Sequence, residues 1–456
     1  MNNFKKILFM SCFMLAAINK FNVKAETLPF NLGEAQISHE KQMITLELAG
    51  VLGVPQIEGE FPVIFIVPDV EASPEVMKQY QQLLKIISEM PALGILLDLS
   101  PLNEIESRDE KLILDVFDYY RTLLNRAIHG ESLAFGEDLY NKGSFSNVII
   151  IGCGQSVDSV YQIIEKHHER QMSFSGALFI EPLRKREVVD IPLPDVPTSI
   201  IVSYERLKEN AISLSLFQKQ RQQEIKAMNS MVYVQTDTSL VNKNETESIS
   251  FINQYTTAFI EEILGKSSLE IGLSPLEEAP QILFNTAVKT SLILPDSLAI
   301  LQPKTEKDPH VNALGGTNRF VNLRLDHYKG LVDIYKVKWD SDESFFEIEL
   351  PKQARDLTDY DALSLYFNYH HDKDESLSFI VEFQDVEGQY QQVKVDNQRP
   401  LNRVSSTIIP FYNQRIQLKQ LMEVDLTSIK TVRFIFEGEN TGELSIGDIS
   451  LVKSLK

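Results

Sequence analysis

The residues whose types and spacing could carry chemistry gather between Asn147 and Ile164, in NVIIIGCGQSVDSVYQII. Four β-branched residues, Val148 to Ile151, lead into Gly152, Cys153, Gly154, Gln155 and Ser156. Val157, Val160, Tyr161 and Ile164 then recur at helical spacing, with Asp158 in the first turn, where the helix dipole favours an acid. Strand, glycine-rich turn and helix make the frame in which G-x-S-x-G holds a serine nucleophile on a tight bend. Here the nucleophile position of that frame is Gly154, which has no side chain to attack with. Two shifted registers leave chemistry open. Cys153 could serve as a thiol nucleophile, although Ile151 and Gln155 then replace both flanking glycines; a lone buried cysteine also behaves as a small hydrophobe. Ser156 gives Gly154-Gln155-Ser156-Val157-Asp158, an echo of the motif in which the hydroxyl could equally cap backbone N–H groups.

A serine nucleophile needs an imidazole to take its proton and an acid to orient that imidazole. Glu205, just after the apolar run TSIIVSY, is the candidate acid, or else a solvated loop residue. The base is missing where it is expected. Asp237 to Asn242, after MVYVQT, contains no histidine, and none occurs between His168 and His310. His167 and His168 fall towards the far end of the helix and read as its surface. His370, His371, Asp372 and Asp374 cluster at a strand exit, but neighbouring side chains on a strand point to opposite faces. No metal and no cofactor is expected. Asn244-Glu245-Thr246 matches a glycosylation sequon.

The elements that would position these residues alternate between periods. Strands are expected at Met43 to Val54, Phe61 to Val67, Gly94 to Leu99, Ala177 to Pro182, Thr198 to Tyr204 and Met231 to Thr236, beside the strand before Gly152. Helices are expected at Pro74 to Met90, Ser107 to Ile128, about 211 to 228 and about 247 to 264. Such alternation predicts an α/β fold, a mostly parallel sheet with helices on both faces. Its functional edge would be the C-terminal ends of the strands. After Gly265 prolines interrupt a polar stretch, and from about Asn318 the chain alternates at period two, with turn residues every eight to twelve positions. That pattern predicts an all-β antiparallel sandwich.

Length and charge narrow the reading. At 456 residues, two domains are expected. Met1 to Ala25 carries Lys5 and Lys6, then an apolar run too short to span a bilayer, then Val23-Lys24-Ala25, and reads as a cleaved signal peptide. A lipidated Cys12 is the competing reading of this segment. Its loss would remove four lysines and no acid from a chain already at −20. Nucleic acid and anionic membrane surfaces are poor partners for such a charge. Cys153 would be the only cysteine left, so no internal disulfide can form. No later run is apolar enough for a transmembrane helix, and a periplasmic or extracellular location is expected.

Two resemblances follow from these residues. Residues 26–283 resemble a secreted bacterial α/β-hydrolase of the branch whose elbow reads Gly-His-Ser-Arg-Gly-Gly-Glu, where this chain has Gly152-Cys153-Gly154-Gln155-Ser156-Val157-Asp158. The His-Gly that opens the family's oxyanion loop falls on Pro68-Asp69. Residues 314–456 are similar to galactose-binding-like β-sandwiches, the fold of many carbohydrate-binding modules, through Asp359-Tyr360-Asp361-Ala362-Leu363 and Gly442 to Ile449. Residues 284–313 are either linker or a first sandwich strand. Such sandwiches often hold a structural Ca²⁺, for which Asp448 is a candidate ligand; the family's preceding acid is Gly447 here. The resemblances imply an exported protein of esterase or lipase-like ancestry, catalytically inactive, with a small-molecule or glycan ligand. The alternative is an active carboxylic-ester hydrolase with Ser156 or Cys153 as an unconventional nucleophile.

Overall fold

The computed structural model describes residues 25–454 except 56, 106–109, 137–138, 168–171, 184–194, 205, 211–213, 215–216, 218–226, 237–239, 241–245, 267–270, 304–307, 329–332, 340, 342, 371–376, 399–409 and 437–441. The chain is rich in sheet and has few helices. It groups into two compact units, Met1–Ile151 with Gln162–Phe174, and Gly152–Tyr161 with Ser175–Lys456. Among the described residues no helix is long and apolar enough to cross a membrane. The expected signal segment, residues 1–24 of it, the sequon asparagine and most of the expected helix at 211–228 lie outside the described residues.

The first unit is built on β1 (Ala25–His39), β2 (Gln42–Pro55), β3 (Pro62–Val67), β4 (Leu93–Leu97) and β5 (Ser144–Cys153), in the order β1-β2-β4-β3-β5. The long β1–β2 hairpin turns on Glu40 and Lys41, both with positive φ (47° and 69°), the signature of a two-residue type I′ turn. Strand β1 is absent from the sequence-based reading. Pro29 and the register shift between Asn31 and Gly33 break the alternation that would have revealed it. Strands β3 and β4 are parallel, and β2 runs antiparallel to β4. Helix α1 (Pro74–Glu89) starts on the Ser73 hydroxyl, which accepts from the Val76 N–H, and buries Tyr80, Leu83, Leu84 and Ile87 as its spacing predicts. Helix α2 (Glu110–Ile128) is held by Tyr120, whose hydroxyl donates to the Ala49 carbonyl at 2.7 Å.

In the second unit β6 (Phe174–Ile180), β7 (Thr198–Ser203) and β8 (Asn229–Val234) are parallel, and every residue of β7 and β8 is buried. This two-faced burial explains their continuous apolar runs. Helix α3 (Val157–His167), whose first five residues belong to this unit, follows the glycine-rich turn, and α4 (Thr246–Ile263) packs Tyr255 beneath the sheet. The Tyr255 hydroxyl lies 2.9 Å from Ser199 Oγ, and burial pushes its pKa up to about 12.

Residues 284–313 divide between two roles. A short β9 (Ile282–Leu283) turns into β10 (Thr286–Ile293), which runs antiparallel beside β8 and extends that sheet. Then β11 (Leu298–Leu301) pairs with a strand of the sandwich. The remaining strands are β12 (Asn318–Val321), β13 (Leu323–Tyr328), β14 (Ile334–Trp339), β15 (Ser344–Glu349), β16 (Ala362–His370), β17 (Leu377–Asp385), β18 (Tyr390–Gln398), β19 (Tyr412–Gln417), β20 (Ile429–Phe436) and β21 (Gly442–Val452). One sheet is β13-β14-β21-β16-β19, with β11 beside β21; the other is β12-β15-β20-β17-β18. Their inner faces meet through Trp339 stacked on Phe436 at 4.4 Å and Phe367 edge-on to Phe379. The polar stretch after Gly265 is pinned to the sandwich. Arg415 Nη1 donates to the carbonyls of Gly272 and Ser274, and Gln417 Nε2 to those of Pro275 and Glu277. The change of sequence texture near residue 283 therefore lies inside one compact unit.

Candidate functional site

The turn after β5 has the backbone of a nucleophile elbow. Gly154 adopts φ +58°, in the left-handed region that a glycine enters without the penalty a Cβ brings. A Cβ on Gly152 would come within 3.1 Å of Val160 and 3.2 Å of Phe179, so a small residue there lets strand and helix approach.

The two substitute nucleophiles are both inaccessible. Cys153 is in no disulfide and is wholly buried. Ser156 is also wholly buried, in a one-turn 3₁₀ segment (Gly154–Ser156) ahead of α3. Its hydroxyl accepts from the Cys153 N–H at 3.1 Å and donates to the Cys153 carbonyl at 2.8 Å. It closes the bend by bonding one residue's backbone twice, a local side-chain-to-backbone role. Of the five elbow residues only Gln155 is partly exposed. The Gly154 carbonyl accepts from the Leu183 N–H at 2.9 Å, which ties the loop after β6 to the turn.

The proposed acid, Glu205, lies outside the described residues. Its neighbour Arg206 shows what organises the strand ends. Glu181, directly after β6, is 1% exposed and holds a strained φ of +45°. One of its oxygens accepts from Arg206 Nη1 at 2.9 Å and the other from the Leu240 N–H at 3.0 Å. Burial alone would lower the Arg206 pKa; Glu181, and then Glu209, outweigh it and raise it. A single buried carboxylate thus joins the loops after three successive parallel strands. The sequence reading gave Glu181 no role. Its signal was a lone acid closing an apolar strand in ALFIEP, where a charge must be paired.

His167 is not the surface residue its helical position suggested. It is 2% exposed, its Nε2 lies 2.7 Å from Asp118 Oδ1, and its ring packs near Phe117. Lys166 Nζ holds the other Asp118 oxygen at 2.5 Å. Burial would raise the Asp118 pKa, but the bonds from His167 and Lys166 prevail and hold it well below the usual carboxylate range. The imidazole is committed to the partner acid on α2. After β3, Pro68 is buried and has no N–H, while Asp69 Oδ1 accepts from the Glu71 N–H.

Among the described residues no group of three or more His, Cys, Asp or Glu could hold a metal ion. His371, Asp372 and Asp374 lie outside them. Asp448 accepts from the Ser450 hydroxyl at 3.0 Å.

The outer face of the β12-β15-β20-β17-β18 sheet carries a second constellation. Register places Arg319, Glu347, Arg433, Glu382 and Gln392 on one rung across five strands. Arg433 donates to Glu347 and Glu382, and Gln392 Nε2 donates to Glu382 at 2.8 Å. The next rung is apolar across four strands, with Val321, Phe345, Ile435 and Ile380, and ends on Lys394 of β18; both arginines lie over the Phe345 ring.

No protein-family model matches the chain, and no curated protein matches it. Solved structures give distant likenesses. The ferulic acid esterase from Streptomyces cinnamoneus is 9% identical, with 54% of this chain and 91% of that one covered and a TM-score of 0.38. A family 11 carbohydrate-binding module from Clostridium thermocellum is 11% identical over 32% of this chain and 92% of that one, with a TM-score of 0.25. The agarase AgWH50C is 13% identical, with a TM-score of 0.26; the match covers 35% of this chain and only 25% of the agarase.

Proposed function

We propose that this protein is an exported, catalytically inactive relative of α/β-hydrolase esterases, joined to a β-sandwich, and that it acts by binding a glycan. The observation that carries the inactivity is the elbow itself. The residue at the strained position, Gly154, offers no nucleophile, and the nearby hydroxyl of Ser156 is bonded to the Cys153 backbone on both its donor and acceptor sides. No histidine follows in residues 169–309 to act as base. The parallel pairing of β6, β7 and β8 and the strand–turn–helix bend support the ancestry. The N-terminal segment with Lys5, Lys6 and Val23-Lys24-Ala25 supports export.

Glycan binding rests on the outer sandwich face. A row of polar groups, with Glu382 buried and Arg319, Glu347, Arg433 and Gln392 at least partly exposed, offers hydroxyls both donors and acceptors beside apolar side chains that offer a sugar ring a flat contact. Two measurements test the reading. Hydrolysis of short p-nitrophenyl esters by the wild type, Cys153→Ala and Ser156→Ala should stay at the buffer rate in all three; turnover that vanishes in either variant refutes inactivity and names the nucleophile. Glycan-array capture by the whole chain should fall at least about tenfold in Arg433→Ala, the loss expected when one charged hydrogen-bonding group is removed. Unchanged capture would place the ligand elsewhere.

A further inference from the structure

We propose that the first unit carries its own binding site for a saccharide, in a cavity at the N-terminal end of β5. The cavity has a volume of about 460 Å³ and is lined by Glu60, Asn125, His129, Asn141, Ser144 and Ser146, with Phe145, Ile128 and Met172 among its apolar wall. That volume falls within the range of small-molecule sites. It lies at the opposite end of β5 from the Gly152–Ser156 bend and shares no residue with it.

The walls are fixed before any ligand arrives. Lys142 Nζ donates to the Ile57 carbonyl at 3.0 Å and to Glu58 at 3.2 Å, which ties the segment before Glu60 to the one bearing Asn141. Backbone bonds from Ser144 to Phe61, from Asn141 to Ile128 and from Ser173 to Phe145 close the same ring. Gly143 allows the close approach: a Cβ there would meet Leu93, Ile128 and Val63 at 2.8 to 3.0 Å. A site rigid in its free form loses little ordering entropy on binding.

The lining chemistry selects the ligand class. His129 Nδ1 lies 2.7 Å from the Asn125 carbonyl, which can only accept, so Nδ1 carries the proton. In the neutral ring Nε2 is then an acceptor. The exposed Glu60 carboxylate adds two acceptor oxygens, while the asparagine amides and the paired hydroxyls of Ser144 and Ser146 can donate as well as accept. Groups that both donate and accept, on a body with apolar C–H faces to lie against Phe145, describe a sugar ring. A carboxylate or phosphate ligand would meet Glu60, and a purely apolar one would leave these polar groups dry.

Met172, 2% exposed, is the one methionine among the lining residues, so its methyl group serves as the probe of this cavity. The test is methyl NMR of the full chain with labelled methionines, the Met172 signal assigned from Met172→Leu. Titration with methyl β-glucopyranoside or methyl β-galactopyranoside in the millimolar range should shift that signal. In Glu60→Gln the affinity should drop about tenfold or more, and in Ser146→Trp, whose exposed side chain fills the cavity without entering the core, the shift should vanish. No shift with either glycoside, or one that persists in Ser146→Trp, overturns the site. A shift with methylammonium chloride but with neither glycoside overturns the ligand class.

Discussion

Asp118→Asn tests whether the buried histidine of α3 is an anchor rather than a surface residue. Asp118 Oδ1 lies 2.7 Å from His167 Nε2, Oδ2 accepts from Lys166 Nζ at 2.5 Å, and Arg121 Nε lies 3.4 Å away. An asparagine keeps one acceptor but turns an NH₂ towards a donor, so one of the two close bonds must break. A hydrogen bond to a charged group contributes about 1.5–3 kcal/mol; the carboxylate is a quarter exposed, so screening brings the expected loss to roughly 1–2 kcal/mol at neutral pH. The pH dependence has a definite sign. The folded carboxyl titrates below its unfolded value of about 3.9, so its contribution is complete above that pH and declines as pH falls towards the folded value. Between pH 5 and pH 3 the gap between wild type and variant should narrow by about 1 kcal/mol, since one unit of pH is worth about 1.4 kcal/mol of linkage before screening. Urea unfolding of both proteins at several pH values measures it. Equal stability at pH 7, or a gap that does not narrow on acidification, would refute the anchoring role.

Two further outcomes follow from the second unit. Gly154→Ser places a hydroxyl at the turn but should remain at the background rate in p-nitrophenyl ester hydrolysis, and it should lose about 1 kcal/mol of stability to the positive φ; measurable turnover would mean that a base operates that residues 169–309 do not supply. Asn413→Leu removes the amide that donates to Ser364 Oγ and accepts from Ser291 Oγ and the Leu292 N–H, all buried. It should reduce stability by about 2–4 kcal/mol and make residues 284–301 sensitive to limited proteolysis; resistance equal to wild type would show that β10 does not depend on the sandwich.

The sequence by itself determined most of the element order and put a residue without a side chain at Gly154. Val148 to Ile151 could only be a doubly buried strand, α1 presents the face its spacing required, and the absence of a side chain at Gly154 needs no coordinates. These are local properties, fixed by periodicity and residue type. Only the tertiary structure decided which polar groups meet. Glu181 joins Arg206 and Leu240 across 25 and 59 positions of sequence, and His167 finds Asp118 on another helix. Residues 284–293 read as either linker or a first sandwich strand because alternation cannot name a partner; they became sheet beside β8 because β8 left an edge to pair with and Asn413 was placed to hold Leu292. Buried charge pairs and strand neighbours depend on three-dimensional proximity, which one-dimensional pattern does not encode.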